Sequence, residues 1–159
     1  MKKPEKSKRF KYNLGSVLKV REIREKQEQE KFASAERTAL EEKRKEEEIK
    51  SFETEKYKEL RQLIAPGKPI ENFYEILQRK SHLEVVKKQA KEQERKSDEA
   101  DRLKEAQRET LLTAARDKKI MEKDQENKKK AWRKVMDKEE TKFLDDISTS
   151  RFLRNQQDS

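Results

Sequence analysis

The sequence has no cysteine and a single histidine, His82. Disulfides, thiolate zinc sites and cysteine nucleophiles are therefore excluded, and one imidazole cannot build a histidine-rich metal cluster. Glycine occurs twice and proline three times in 159 residues, too little turn material for a sheet protein and none for a glycine-rich phosphate loop. Long apolar runs are also missing. The longest is Leu111-Leu112-Thr113-Ala114-Ala115, far short of the roughly 18 residues that span a bilayer. Met1-Lys2-Lys3-Pro4 leads into no apolar stretch of the secretory-signal type. A soluble, cytosolic protein is expected. With 30% apolar and 6% aromatic residues, the chain lacks the material for a layered globular core.

What the chain does have is charge of both signs. Lys and Arg number 43 and Asp and Glu 34, giving 48% charged residues, a net charge of +9 and a mean hydropathy of -1.45. Such a composition suits either a long coiled coil or a disordered polyampholyte. Lys, Glu, Arg, Gln, Ala and Leu dominate, and these are strong helix formers, so the helical alternative is expected.

Proline and glycine mark the organisation. Pro4 falls in a basic N-terminal tail, Gly15 near a helix start, and Pro66, Gly67 and Pro69 together in Ala65-Pro66-Gly67-Lys68-Pro69. That cluster removes helical donors and permits positive φ, which ends one helix and lets the chain reverse. The expected division is a basic flexible tail over 1–12, helix one over 13–64, a reversal over 65–69, helix two over 70–150 and a flexible tail over 151–159. At about 1.5 Å per residue the helices would measure roughly 78 and 120 Å.

A seam of period 3.5 can be followed in both segments. It runs through Ile76, Leu83, Val86, Ala90, Ala100, Leu111, Ala114, Met121, Trp132 and Val135 in helix two, and through Leu14, Leu18, Phe32, Ala35, Ala39, Ile49, Leu60 and Leu63 in helix one. Charged residues such as Arg21, Glu25, Glu42 and Glu46 interrupt the second seam. Together with the short reversal, this predicts an all-α fold, a long antiparallel two-helix coiled-coil hairpin. Counting from the tip puts Leu14 near residue 120. About 30 residues of helix two would then form a C-terminal overhang without an intramolecular partner. This overhang carries Trp132, Val135, Phe143, Leu144, Ile147, Phe152 and Leu153, and exposed apolar residues on an unpaired helix suggest a docking surface, self-association being the alternative.

Catalysis has no foothold. His82 lies on an ordinary helix with no nucleophile and orienting acid assignable to it, and a surface histidine is the expected reading. Asp145 and Asp146 are neighbours whose side chains point about 100° apart on a helix and do not converge on a metal. The run Glu41-Glu42-Lys43-Arg44-Lys45-Glu46-Glu47-Glu48 pairs opposite charges three and four residues apart and reads as a solvated face. No enzyme activity, cofactor, metal or small-molecule substrate is expected. The tail cations Lys2, Lys3, Lys6, Lys8, Arg9 and Lys11 could grip phosphates. The rods nevertheless alternate sign without a continuous basic stripe or a stacking array, so nucleic acid is not the expected partner, and an acidic protein surface suits the tail as well.

The opening Phe10-Lys11-Tyr12-Asn13-Leu14-Gly15-Ser16-Val17-Leu18-Lys19-Val20-Arg21-Glu22 resembles that of the FliJ family of flagellar type III export proteins: an aromatic pair, Leu, Val-Leu, then Arg-Glu. The stretch from Trp132 through Lys142-Phe143-Leu144-Asp145-Asp146-Ile147 to Arg151 is similar to that family's closing pattern. The resemblance implies an antiparallel coiled coil like the central stalk of rotary ATPases. It also implies partners: the hexameric export ATPase (FliI) with its regulator (FliH), the cytoplasmic domain of the export gate (FlhA), and the export chaperones that the family escorts. The implied location is the cytoplasmic face of the inner membrane at the flagellar base.

On that resemblance, the ATPase-ring contacts are expected at the free end, at Phe10, Tyr12, Leu14, Leu18, Trp132, Phe143, Leu144 and Ile147. Gate contacts are expected near the tip, at Tyr57, Phe73 and Leu77, with Leu60 packing the seam. Two other readings fit the architecture, the related rod of injectisome-type secretion systems and a structural coiled-coil scaffold.

Overall fold

The computed structural model describes residues 9–67 and 69–158. It is all-α: two long helices, α1 over Gly15–Leu63 and α2 over Phe73–Gln157, pack against each other, and no strand occurs among the described residues. Helix-forming residue types account for the length, because neither helix has an internal proline and the one glycine in either is Gly15, the first residue of α1.

The helix ends follow local chemistry. At the start of α1 the amide of Gly15 donates to the carbonyl of Tyr12 at 3.2 Å, and that of Leu18 to Leu14 at 3.0 Å. At the other end the Ile64 amide donates to Arg61 at 3.3 Å, a tightened last turn, before Pro66. Gly67 has φ of 85°, a left-handed conformation that costs an L-residue about 1–2 kcal/mol. α2 begins three residues later than the expected 70, because Asn72 caps it: its Oδ1 accepts from the Glu75 amide at 3.1 Å, and Glu75 itself faces the positive end of the helix dipole.

The expected flexible tail at 151–159 is a correction, since α2 continues to Gln157. Arg151 to Gln157 contains only residues that tolerate helix, Arg154 sits favourably in the last turn, and the Asp158 amide donates to the Arg154 carbonyl at 3.2 Å. Of the tail expected over 1–12, residues 1–8, with Lys2, Lys3, Pro4, Lys6 and Lys8, lie outside the described residues, and so does Lys68 of the reversal.

The chain divides into two units, one formed by Met1–Glu25 with Ala114–Ser159 and the other by Lys26–Thr113. In the second unit α1 and α2 run antiparallel, as the pairs Glu28 with Gln107, Glu42 with Gln93 and Glu59 with Arg79 require. The inward positions step by three and four without a break, through Phe32, Ala35, Ala39, Glu42, Glu46 and Ile49 on α1 and Leu83, Val86, Ala90, Gln93, Ser97 and Ala100 on α2. Ala39, Leu60, Leu83, Val86, Ala90 and Ala100 are buried, but so are Glu28, Glu46, Gln93 and Ser97. The middle of this seam is thus small and polar. Each buried polar group is satisfied: the Gln93 amide donates to both the backbone carbonyl and the carboxylate of Glu42, and Lys50 donates to Glu46 at 2.7 Å. Hydrogen bonds from Lys50, then Ser97, hold the Glu46 carboxyl down at about 2.

In the first unit the same seam buries Leu18, Ala114 and Met121. Polar bridges flank them. Arg21 Nη1 donates to the Asp117 carbonyl at 2.8 Å, and Lys118 Nζ meets Glu25 at 2.7 Å. The two seam residues that did not meet expectation are Leu14, 37% exposed just ahead of α1, and Val135, which is exposed. After Trp132 the half-buried positions are Met136, Phe143, Ile147 and Ser150, so the stripe has moved one residue past Val135.

Candidate functional site

Of the eight residues expected to contact an ATPase ring, Leu14 is exposed just ahead of α1 and the other seven divide into three sets. Leu18, at 7% exposure, is core. It packs the coiled coil of the first unit and offers nothing to a partner.

Phe10, Tyr12 and Trp132 form a joint. The chain ahead of α1 lies against α2, with the Phe10 and Trp132 ring centroids 6.0 Å apart and their planes at 51°. Trp132 was expected on an unpartnered overhang; the structure corrects this, because residues 9–13 extend the pairing past the start of α1. Tyr12 donates its hydroxyl hydrogen to Asp124. Lys128 lies 5.4 Å from the Tyr12 ring centroid and bridges to Asp124 at 3.2 Å and Asn13 Oδ1 at 3.4 Å. Loss of water around the phenol, reinforced by the Asp124 hydrogen bond, pushes the Tyr12 pKa up to about 12. The Tyr12 hydrogen bond in turn holds Asp124 below its usual range. The pairing register displaced the expected position of Leu14, since Asn13 reaches Lys128 rather than the neighbourhood of residue 120.

Phe143, Leu144 and Ile147 form the third set. They do not gather with Tyr12: nineteen residues of helix separate Phe143 from Asp124, about 28 Å at 1.5 Å per residue. Phe143 and Ile147 are half-buried, while Leu144, Phe152 and Leu153 are exposed.

A groove of about 520 Å³ opens beside the Phe10–Trp132 pair, lined by Arg9, Phe10, Glu122, Gln125, Glu126, Lys129, Trp132 and Arg133. Little in the pattern of residues signals it: Lys129 and Arg133 share a face of α2, but Arg9 and Phe10 join them only through the packing of residues 9–13 on that helix. One apolar face was missed altogether. Val20 and Ile23 are exposed on α1 away from the seam and Val17 is exposed on its flank, and their spacing of three residues was a readable signal.

The tip residues belong to the second unit. Phe73 is 65% exposed, and Tyr57, Leu77, Ile64, Ile70 and Tyr74 are also exposed. Arg61 lies 5.7 Å from the Tyr57 ring centroid. In the three-four register, Tyr57 and Ile64 flank the seam of α1 on the side where Phe73 flanks that of α2, so an antiparallel pair presents them on one side. On the other side Phe52 meets His82 edge to face at 6.1 Å. Leu60 is buried in the seam, as expected. His82 is exposed and packs edge to face on the Phe52 ring.

Among the described residues no group of three or more His, Cys, Asp or Glu is placed to hold a metal ion, and no helix is long and apolar enough to cross a membrane. No curated protein and no solved structure matches the chain. A family profile described as "Flagellar FliJ protein" matches residues 10–157, from the aromatic that meets Trp132 to the last residue of α2. The chain therefore belongs to the flagellar FliJ family.

Proposed function

We propose that this protein is a stalk-like component of flagellar type III export, which binds the hexameric export ATPase through the end holding Phe10, Tyr12 and Trp132 and binds the export gate through the tip. The family match over 10–157 is the observation that carries this reading. The arrangement of residues supports it. Long helices with a polar seam offer contact surface at their ends and along their flanks rather than in an enclosed pocket. The free end presents a groove beside paired aromatic rings and a C-terminal stretch with exposed Leu144, Phe152 and Leu153. The tip presents Tyr57, Phe73 and Leu77, the gate contacts in this reading. Leu18 is withdrawn from the proposed ring contacts because it is core, and Phe143, Leu144 and Ile147 act as a separate patch.

In this reading the protein acts at the cytoplasmic face of the inner membrane, with the ATPase regulator nearby, and escorts export chaperones along its exposed helical flanks. It performs no chemistry itself. Pull-down of the purified export ATPase and, separately, of the gate's cytoplasmic domain tests the reading. Wild-type protein is expected to retain both. A Phe10→Ala/Trp132→Ala variant should lose the ATPase and keep the gate. Failure of wild-type protein to retain either partner would overturn the reading.

A further inference from the structure

We infer that the groove beside Phe10 and Trp132 is a docking site for an acidic protein segment that carries an apolar side chain. The inference rests on the ATPase reading above, and assigns the chemistry of the ATPase surface that enters the groove.

Shape and apolar character come from the ring pair. Residues 9–13 continue along α2 past the start of α1, so Phe10 and Trp132 meet at 6.0 Å and form an apolar wall beside an open volume of about 520 Å³. One inserted aliphatic or aromatic side chain would find ring edges there.

Sign comes from the rim. Arg9, Lys129 and Arg133 line the groove and have no ion-pair partner among the described residues. The two acids on the rim are already engaged within α2, Glu126 with Lys130 at 3.1 Å and Glu122 with Lys118 at 3.7 Å. Lys130 accordingly holds Glu126 below its ordinary range. The groove therefore shows a visitor three uncommitted cations against one carboxylate paired with Lys130 and a second, Glu122, that shares Lys118 with Glu25. The bias is local. From 116 to 134 nine Lys or Arg stand against four Asp or Glu, whereas from 135 to 147 two stand against five. A negative segment would be drawn to the Trp132 level and repelled from the helix beyond it.

A nucleic acid strand fits less well. Its backbone needs cations spaced along many nucleotides, but the sign of α2 reverses just past the groove, and Trp132 is already packed against Phe10 rather than standing open for base stacking.

The test measures binding of the purified export ATPase at 50 and 200 mM salt to full-length wild-type protein, to Lys129→Glu/Arg133→Glu, and to Lys87→Glu/Lys91→Glu. The last pair makes the same change in net charge on exposed residues of the second unit. Circular dichroism checks that helicity is equal. Reversal at the groove is expected to weaken binding about tenfold or more and to flatten its salt dependence, with the control pair within about twofold of wild type. Equal effects of the two pairs, or none from either, would overturn the acidic-segment assignment while leaving the ATPase reading in place. Tighter binding of a single-stranded oligonucleotide than of the ATPase, lost on reversal at the groove, would also overturn it, in favour of nucleic acid. If wild-type protein fails to bind the ATPase at either salt, the ATPase reading itself fails and takes this inference with it.

Discussion

Tyr12 donates its phenolic hydrogen to the carboxylate of Asp124, tying the chain ahead of α1 to the flank of α2. With the Phe10–Trp132 contact, this bond turns residues 9–13, which have no regular structure, into a third wall beside the coiled coil. The groove exists only while that segment stays in place.

The bond has a spectroscopic signature. Desolvation and then Asp124 raise the Tyr12 pKa to about 12. A raised folded-state value for this donor means that its contribution to stability is present in full below the ordinary phenol range near 10 and is lost as pH rises through about 12. Absorbance titration of tyrosinate should show an ionisation near 12 that is missing from Tyr12→Phe. The same variant should blue- or red-shift the emission of Trp132, the sole tryptophan, by loosening Phe10. An unchanged titration curve in Tyr12→Phe would contradict the bond.

Glu46 predicts the opposite dependence. Its side chain is only 5% exposed, and hydrogen bonds from Lys50 and then Ser97 hold its pKa at about 2. A depressed carboxyl contributes stability that is present above the unfolded value of about 4.5 and lost as pH falls through the folded one. Thermal melts between pH 5 and 2 should therefore fall less steeply for Glu46→Gln than for wild type. Parallel slopes would show that the carboxylate is not held as described.

Leu83 and Val86 supply most of the aliphatic burial on α2 near the tip. Leu83→Ala should cost about 2–4 kcal/mol, because a two-helix seam cannot collapse around the gap from a second layer. Urea unfolding by circular dichroism measures it. A loss under about 1 kcal/mol would mean that the layer is not closed.

At the tip, Phe73→Ala/Leu77→Ala should leave helicity and melting temperature within a few degrees of wild type, since both side chains are exposed, while weakening binding of the gate domain at least about tenfold. Loss of helicity would assign the pair to the core.

Much of this was legible in the residues themselves. The dominance of helix formers and the single Pro-Gly cluster indicated two long helices, and the period of 3.5 picked out Leu83, Val86, Ala90, Ala100, Ala114 and Met121, all of which are buried. Gln93 and Ser97 were passed over because a hydrophobic pattern does not register polar residues, although their hydrogen bonds across or along the seam let them occupy it. The packing of residues 9–13 on α2 was not legible at all. It depends on the Phe10–Trp132 ring contact and on the Tyr12–Asp124 and Lys128–Asn13 hydrogen bonds, all between residues more than a hundred positions apart, which leave no periodic trace. The helical end at 151–157 was missed for a different reason: exposed helix has no burial pattern, only propensity.

The central claim is that the end built around Tyr12, Phe10 and Trp132 acts on the export ATPase. The most direct measurement is ATP hydrolysis by the purified ATPase alone, with wild-type protein, and with a variant truncated before Trp132. The account predicts stimulation by the wild type that disappears with the truncation. Stimulation of equal size by both, or by neither, would contradict it.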